Sequence, residues 1–384
     1  MQTNRPTALI AMSGGVDSSV AAWLMQQAGY DCVGATMKLF DHQDSCACST
    51  TADIQDARVI CARLGIPHYT FDFADTFAEQ VVKRFVTTYA QGATPNPCID
   101  CNRFLKFGLF IRRAREMGFD CVATGHYARV EFDNPSGRYL LKTAVDANKD
   151  QSYVLYGLAQ EQLAYVRFPL GSLAKEQVRA TASQLGFHIA QKEESQDICF
   201  IPAGDHASFI RQWMAEHAED LKIEPGLIID AEGKKLGAHD GIINFTIGQR
   251  KGIGIAAAAP LYVKEIVATS NTVIVAPRAE LGATIAVLED ANLISGACFE
   301  QLQPSDDVFT QQETIGHTKP LRVFARHRYR CTPRSAQLEQ LGPTTLKVTY
   351  DEPVSDLARG QALVCYDSLD NAIVLAGGTI MQTT

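Results

Sequence analysis

A chain of 384 residues exceeds what one hydrophobic core ordinarily holds, so two or three domains are expected. A composition of 46% hydrophobic and 20% charged residues describes a core-forming protein and excludes disordered and collagen-like classes. A net charge of −8 excludes wholesale coating of nucleic acid but leaves room for a local basic face.

The first two hundred residues alternate short apolar runs with helical patterns, as a parallel sheet flanked by helices does. Ala8 to Met12 reads as a buried strand ending in the turn Ser13-Gly14-Gly15. A helix follows with Val20, Leu24 and Ala28 on one face and Gly29 as its stop. Cys32 to Leu39 is the second strand. Ile54, Ala57, Cys61 and Leu64 mark a second helix that stops at Gly65. Ile66 to Phe73 is the third strand, Thr76 to Tyr89 and Phe104 to Met117 are helices, and Cys121 to Thr124 is the fourth strand. The fold class is doubly wound α/β. After about residue 204 the pattern changes to short strands at Leu227–Ile229, Leu261–Val267, Thr272–Val275, Lys347–Tyr350, Ala362–Tyr366 and Ala372–Leu375. That spacing predicts a small central domain and a C-terminal antiparallel β-barrel or sandwich. The expected domains are 1–204, 205–272 and 273–384.

Ser13-Gly14-Gly15-Val16-Asp17-Ser18-Ser19, between a strand and a helix, is built for phosphate. Small residues let the backbone approach phosphate oxygens, and the free N–H groups at the helix start supply donors and positive dipole. Ser13 and Ser18 add hydroxyls, and Asp17 is a candidate ligand for a Mg2+ ion on the pyrophosphate. The loop lacks the Gly-Lys-Ser/Thr ending of a Walker motif, so cleavage between the α- and β-phosphates fits better than kinase or GTPase action. The string is similar to the PP-loop of the adenine-nucleotide α-hydrolase superfamily, whose members adenylate a substrate oxygen. Gly125-His126-Tyr127 falls where the fourth strand ends, and ligands of open α/β sheets collect at such carboxyl ends.

Eleven cysteines, an odd number, do not read as a disulfide scaffold. Met1 to Thr7 shows no charged-then-apolar leader, and no apolar run reaches the ~18 residues of a membrane span. A cytoplasmic location without membrane association is expected. Cys98 and Cys101 form a CxxC pair in the proline-stiffened stretch Thr94-Pro95-Asn96-Pro97-Cys98-Ile99-Asp100-Cys101-Asn102-Arg103, read as a loop before a helix. Arg103 and Lys106 nearby favour a thiolate there. Cys199 lies in Ser195-Gln196-Asp197-Ile198-Cys199-Phe200-Ile201. Cys32, Cys61 and Cys121 fall on apolar faces and read as small hydrophobes. Cys46-Ala47-Cys48 raises a metal alternative, and an iron–sulfur cluster on Cys98, Cys101 and Cys199 stays open.

The PP-loop, TPNPCxxCN and SQDICFI together closely resemble the tRNA-specific 2-thiouridylase family (the bacterial MnmA type). The resemblance extends to Asn148-Lys149-Asp150-Gln151-Ser152-Tyr153 and Thr246-Ile247-Gly248-Gln249-Arg250-Lys251-Gly252. It implies ATP-dependent replacement of the 2-carbonyl oxygen of a tRNA wobble uridine by sulfur. It places nucleotide binding on Ala11, Met12, Ser13, Gly14, Gly15, Val16, Asp17 and Ser18, with Met37 and Gly125 on the adenosine side. Cys101 takes the nucleophile role, and Cys199 carries a persulfide received from a sulfur-relay protein. Asn96, Pro97 and Cys98 lie against the target base. His126, Lys149, Asp150 and Gln151, with Arg328, Tyr329 and Gln361 of the last domain, touch the tRNA. Cys98 departs from the family, where many relatives carry an aspartate.

A uracil carbonyl oxygen is a poor leaving group and needs adenylation first, which a phosphate-binding nest assists. Sulfur must then arrive as a nucleophile. Attack by Cys199-bound sulfur releases AMP, and Cys101 attacking Cys199 frees the sulfur and leaves a disulfide. The target base must leave its stack. Positive charge is expected from Lys319, Arg322, Arg326, Arg328, Arg330 and Arg334, with Tyr329 as an aromatic face. Arg103, Lys106, Arg112, Arg113 and Arg115 form a second cluster, although such runs also occur on simple solvated faces. A PP-loop pyrophosphatase with another substrate and an iron–sulfur-dependent thiolation are the alternative functions.

Overall fold

The first apolar run folds as β1 (Thr7–Ala11), whose residues from Ala8 onward are buried. It is followed by β2 (Asp31–Lys38), β3 (His68–Asp72), β4 (Cys121–Ala123), the hairpin strands β5 (Arg129–Asp133) and β6 (Arg138–Lys142), and β7 (Val166–Arg167). The computed structural model describes residues 5–40, 50–192, 198–201, 205–217, 223–294 and 320–384. Five strands make a parallel sheet in the order β3-β2-β1-β4-β7. Val20, Ala21, Ile60, Val178 and Ala182 pack one side of it, and Phe77, Phe85, Leu105 and Phe110 the other. Both faces are therefore covered, which is why the strands read as continuous apolar runs. The chain reverses its winding between β1 and β4, and the crevice at their carboxyl ends is where ligands of such sheets bind.

Helix α1 (Val16–Gln27) starts directly after the Ser13-Gly14-Gly15 turn. Helix α2 (Thr51–Leu64) is held at its start by a reciprocal Thr50–Asp53 capping box and stopped by Gly65 at φ 69°. Gly14, at φ +72°, passes so close to α2 that an added Cβ would lie 2.3 Å from the Asp53 carbonyl oxygen. Only glycine fits that crossing.

The expected helix near Phe104 begins earlier. Asn96 caps it, its Oδ1 accepting from the Cys98 N–H at 3.2 Å, and Pro97 occupies the first helical position. Helical backbone then runs through Pro97–Asp100, Cys101–Leu109 and Phe110–Glu116, with a widened π-type middle section. Cys98 and Cys101 are thus inside a helix and three residues apart on its surface, not in a preceding loop. The prolines that read as a stiff loop set up a helix start.

Beyond the first domain, strands Gly226–Ile229, Lys235–His239, Leu261–Val267 and Thr272–Pro277 form a four-stranded sheet. The boundary expected at 272/273 cuts into this sheet, because Thr272–Pro277 pairs antiparallel with Leu261–Val267. The last domain is a closed six-stranded barrel of Ala283–Leu293, Leu321–Arg326, Arg334–Gly342, Thr345–Val354, Ala362–Tyr366 and Val374–Thr383. Leu346, Val348 and Tyr350 point inward at the two-residue period of a strand. Closure leaves no unpaired edge.

The barrel clamps the stretch before the cysteine helix. The Thr94 N–H donates to the Arg359 carbonyl at 2.7 Å, and Gln361 Nε2 donates to the Pro95 carbonyl at 3.5 Å. Inside the barrel rim His327 is buried, with Nδ1 3.3 Å from the Tyr350 hydroxyl. Burial, with Arg328 beside it, lowers its pKa to about 4. An unfolded histidine takes its proton near pH 6.5 and this one only near 4, so the unfolded state gains protons first as pH falls. Stability is full above about 6.5 and declines toward pH 4, with an expected His327 contribution of about 3 kcal/mol. His68, His126 and His239 shift in the same direction, mainly through burial. Urea unfolding at pH 7.5 and pH 4.5 should show a smaller loss in His327→Gln than in the parent chain; equal losses would remove this assignment.

Candidate functional site: a phosphate loop and two distant cysteines in one cavity

At the carboxyl ends of β1 and β4 lies a cavity of about 460 Å³. Ala11, Met12, Ser13, Gly15, Val16, Asp17 and Ser18 line one side, joined by Met37 and Gly125. Gly14, the remaining residue of the expected nucleotide stretch, lies beneath the loop, where its carbonyl accepts from Lys192 Nζ at 3.3 Å. The loop is shaped by its own hydroxyls. Ser18 Oγ accepts from the Ser13 N–H at 3.1 Å and donates to the Gly15 carbonyl at 3.1 Å. Gly125 packs against the start of α1, and an added Cβ would lie 2.8 Å from the Ser18 nitrogen. The turn after β4 and the phosphate loop therefore form one wall.

Cys101 and Cys199, 98 residues apart in the chain, line the same cavity, with Cys98, Pro97 and Phe200. Cys101 is buried and a free thiol, and Cys98 is an exposed free thiol. Cys199 is disulfide-bonded, and since Cys98 and Cys101 are both free, the bond is not between Cys199 and either of them. The expected thiolate does not hold for Cys101 in this state. Burial raises its pKa, and Lys106 only partly opposes that shift. Arg103, expected to assist, instead pairs with Asp290 and lies 5.5 Å from the Phe104 ring. Asp100, next in sequence to Cys101, is pushed up to about 6 by burial against the pull of Arg84 and Arg103.

His126 lines the cavity but is buried between the Phe107 and Phe168 rings, its Nδ1 2.7 Å from Thr124 Oγ1. Burial and Lys106 lower its pKa well below the ordinary value, so the ring is neutral. It faces the cavity and not the outer surface. Gln151 also lines the cavity, its Oε1 accepting from the Tyr127 N–H at 2.9 Å. Lys149 is half-buried outside it. Asp150 corrects an expectation. It is 4% exposed and turned inward, its oxygens occupied by the Ala144 and Ser152 N–H groups, the Ser152 hydroxyl and Arg326.

The basic run near the barrel is partly neutralised internally. Arg322 pairs with Asp351 at 2.6 Å, Arg326 with Asp150 at 3.2 Å, and Arg328 donates to the Ile247 carbonyl at 2.9 Å. Tyr329 sits 6.2 Å from the Tyr153 ring, against the core of the first domain. Lys319, Cys46, Cys48 and Cys298 lie outside the described residues. In the second basic cluster Arg113 pairs with Glu116, Arg115 lies 5.0 Å from the Tyr165 ring, and only Lys106 lines the cavity.

Two lysines were invisible to motif reading. Lys175 Nζ lies 2.7 and 2.8 Å from the two Asp17 oxygens, and the Tyr127 hydroxyl donates to Asp17 at 2.8 Å. Lys192 Nζ bonds Asp53 at 2.8 Å and Asp56 at 2.7 Å, which holds its ammonium above the usual value despite the opposing effect of burial. Both line the cavity, although neither belongs to a recognisable string.

A Mg2+ ion on a nucleotide fits this donor set, with Asp17 as one carboxylate ligand and phosphate and water oxygens supplying the rest. It requires Asp17 to share its oxygens with Lys175 or release them. An iron–sulfur cluster does not fit the arrangement described. No group of three metal-ligating side chains converges among the described residues.

Residues 7–203 match the family described as the tRNA methyl transferase HUP domain, 214–277 its PRC-barrel domain, and 301–380 an aminomethyltransferase β-barrel domain. Among curated proteins, the tRNA-specific 2-thiouridylase MnmA of Clostridioides difficile (strain 630) is 40% identical over 98% of this chain and 98% of its own. The protein of that name from Desulforamulus reducens is 41% identical over 98% of this chain and 97% of its own. That from Natranaerobius thermophilus is 40% identical over 100% of this chain and 99% of its own.

Proposed function

The chain belongs to the tRNA-specific 2-thiouridylase family, and from that premise we propose how its own residues carry out the reaction. The enzyme uses ATP to replace the 2-oxygen of a tRNA uridine with sulfur. The observation that carries the reading is the single cavity shared by the phosphate loop, Cys101 and Cys199. A pyrophosphatase acting on a carboxylate needs the first of these and has no use for the other two.

ATP lies with its phosphates on the Ser13–Ser18 loop and its adenosine toward Met37 and Gly125. The uridine enters from the side of Asn96, Pro97 and Cys98, and its 2-oxygen attacks the α-phosphorus. The bond to the bridging oxygen breaks, and pyrophosphate leaves with that electron pair. N–H groups and hydroxyls fixed by the Ser13–Ser18–Gly15 bonds need little reorganisation to receive the charge. Neutral His126 is a hydrogen-bond partner for the base edge. Mg2+, held through Asp17, neutralises phosphate charge when bound.

Sulfur enters as a persulfide on Cys199, delivered by a sulfur-relay protein after the disulfide present here is reduced. The terminal sulfur attacks C2 of the adenylated base and AMP departs with the C2–O bond electrons. Cys101, deprotonated, then attacks the Cys199 Sγ. The Sγ–S bond breaks, its electrons go to the sulfur now on the ring, and a Cys101–Cys199 disulfide remains. A dithiol reductant returns two electrons to reopen it. Because burial raises the Cys101 pKa, thiolate formation depends on the positive charge of Lys106 and on loss of the thiol proton to solvent or a base on the bound substrate. Lys149, Arg328, Tyr329 and Gln361 are the surface candidates for tRNA contact, while Asp150 supports them from within.

Incubation of the reduced protein with tRNA, ATP, Mg2+ and a persulfide donor tests this reading. AMP and pyrophosphate should form together with 2-thiouridine in the tRNA nucleosides. ADP formation, or AMP formation without a thionucleoside in the presence of donor, would contradict it.

A further inference from the structure

The Asp17–Lys175 contact puts a nearly buried ammonium against the carboxylate expected to carry the metal. Lys175 opens the helix Lys175–Gln184, 158 residues from Asp17, and its side chain is 10% exposed. The Lys175 backbone N–H donates to Asp146 Oδ2 at 3.0 Å, which pins the helix start. The four-carbon stem is thus the part able to re-aim, and the ammonium lies 5.7 Å from the Tyr127 ring centroid. A buried ion pair is weak evidence for stability, since desolvation of both charges offsets their attraction.

Cavity electrostatics give the pair another use. Among the described residues, three lysines, Lys106, Lys175 and Lys192, line the cavity against two aspartates, Asp17 and Asp53. Lys106 acts on the thiol side, where its charge partly opposes the burial that raises the pKa values of Cys98 and Cys101. Lys192 is braced by Asp53, Asp56 and the Gly14 carbonyl, which ties it to the underside of the loop. Lys175 is the lysine bonded to a residue of the loop's own phosphate face. The sequence lacks the lysine that ends a Walker loop, and the fold brings one to the equivalent chemistry from a distant helix.

We propose that Lys175 is a phosphate-gripping residue of the ATP site, which leaves Asp17 for the pyrophosphate half of ATP when the metal-bound nucleotide enters. The inference rests on the reading of the cavity as an ATP site. In the structure the two charges neutralise each other. With metal-bound ATP in place, Asp17 turns to the metal and Lys175 to the β- and γ-phosphates. As the bond from the α-phosphorus to the bridging oxygen breaks, the ammonium hydrogen-bonds the departing pyrophosphate and keeps its own proton. AMP lacks the groups that Lys175 grips. Selectivity for ATP over AMP is therefore the signature, and a lysine that merely holds Asp17 in place would not produce it.

Calorimetric binding of ATP, inorganic pyrophosphate and AMP to the full-length chain with Mg2+ reads this directly. In Lys175→Gln the affinities for ATP and pyrophosphate should fall about ten- to a hundredfold, the range of one charge-assisted hydrogen bond. AMP affinity and tRNA affinity should change less than about twofold, because neither ligand uses that bond. Unchanged ATP and pyrophosphate binding, or equal weakening for all three ligands, would overturn the proposal. Should the variant not fold, reductive methylation of the parent chain with mass-spectrometric readout at Lys175 decides the same point. Pyrophosphate and ATP should alter methylation at Lys175 and AMP should not; an identical effect of all three rejects it. If the parent chain itself neither binds ATP nor releases pyrophosphate with tRNA, the ATP-site reading has failed. If it does both and Lys175→Gln behaves like the parent, only the lysine's role has.

Discussion

Replacing Cys199 by serine should reduce tRNA thiolation by more than about a thousandfold while leaving tRNA affinity within about threefold of the parent. The hydroxyl keeps the side chain's size but cannot carry a terminal sulfur. Cys199 lines the cavity beside the phosphate loop, so the loss belongs to the chemical step and not to docking of the tRNA body. Pyrophosphate release, compared with AMP release, separates the two half-reactions. If adenylation precedes sulfur attack, Cys199→Ser should still release pyrophosphate with tRNA present, at most one per bound tRNA, and leave the AMP on the base. Cys101→Ser should permit sulfur to reach the ring and then stall with the tRNA joined to the protein. Thiolation by Cys199→Ser at the parent rate would reject the persulfide role.

Asp150→Ala should cost about 3–5 kcal/mol of stability, because it leaves a buried arginine charge without its counter-ion. Asp150 accepts four hydrogen bonds, two from backbone N–H groups of Ala144 and Ser152, one from the Ser152 hydroxyl and one from Arg326. Arg326 ends a barrel strand, so the pair fastens the barrel to the first domain. It also lies 5.4 Å from the Tyr366 ring centroid. Chemical unfolding and tRNA affinity of the variant, measured at a temperature where it stays folded, distinguish a brace from a contact. A brace predicts a large fall in stability at either salt extreme, and weaker tRNA binding only as a consequence. Parent-like stability with lost tRNA binding would restore a direct contact for Asp150.

The parallel sheet was readable because its central strands, Thr7–Ala11 and Cys121–Ala123, are buried on both faces and the elements are punctuated by Gly29 and Gly65. The phosphate site was readable because one continuous string, Ser13 to Ser19, performs most of its work. The cysteine helix was misread as a loop. Pro95 and Pro97 signal a break, but Pro97 at the first helical position with Asn96 as cap signals a beginning, and the two signals share the same letters. Lys175 and Lys192 escaped notice because a lone lysine carries no local pattern; each acquires meaning only when folding sets it against Asp17 or Asp53. Charge counting overstated the basic face for the same reason. Arg322 and Arg326 meet Asp351 and Asp150 from other parts of the chain, and a linear window does not contain those partners.

The domain boundary near residue 272 shows a related limit. A strand at Thr272 fits a new domain as readily as the last strand of an old one, until its pairing with Leu261–Val267 is seen. The family resemblance supplied roles that no spacing rule contains. The geometry then sorted them into cavity-lining residues, surface residues and one buried brace.

A single-turnover experiment addresses the central claim, that one pocket joins an activated uridine to both thiols. Reduced protein is loaded with one persulfide sulfur on Cys199, then mixed with tRNA and ATP in the absence of reductant. Peptide mass spectrometry and nucleoside analysis follow on the same sample. The account predicts one 2-thiouridine per loaded sulfur and a matching amount of Cys101–Cys199 disulfide. Thiolated tRNA with Cys101 still a free thiol would contradict it.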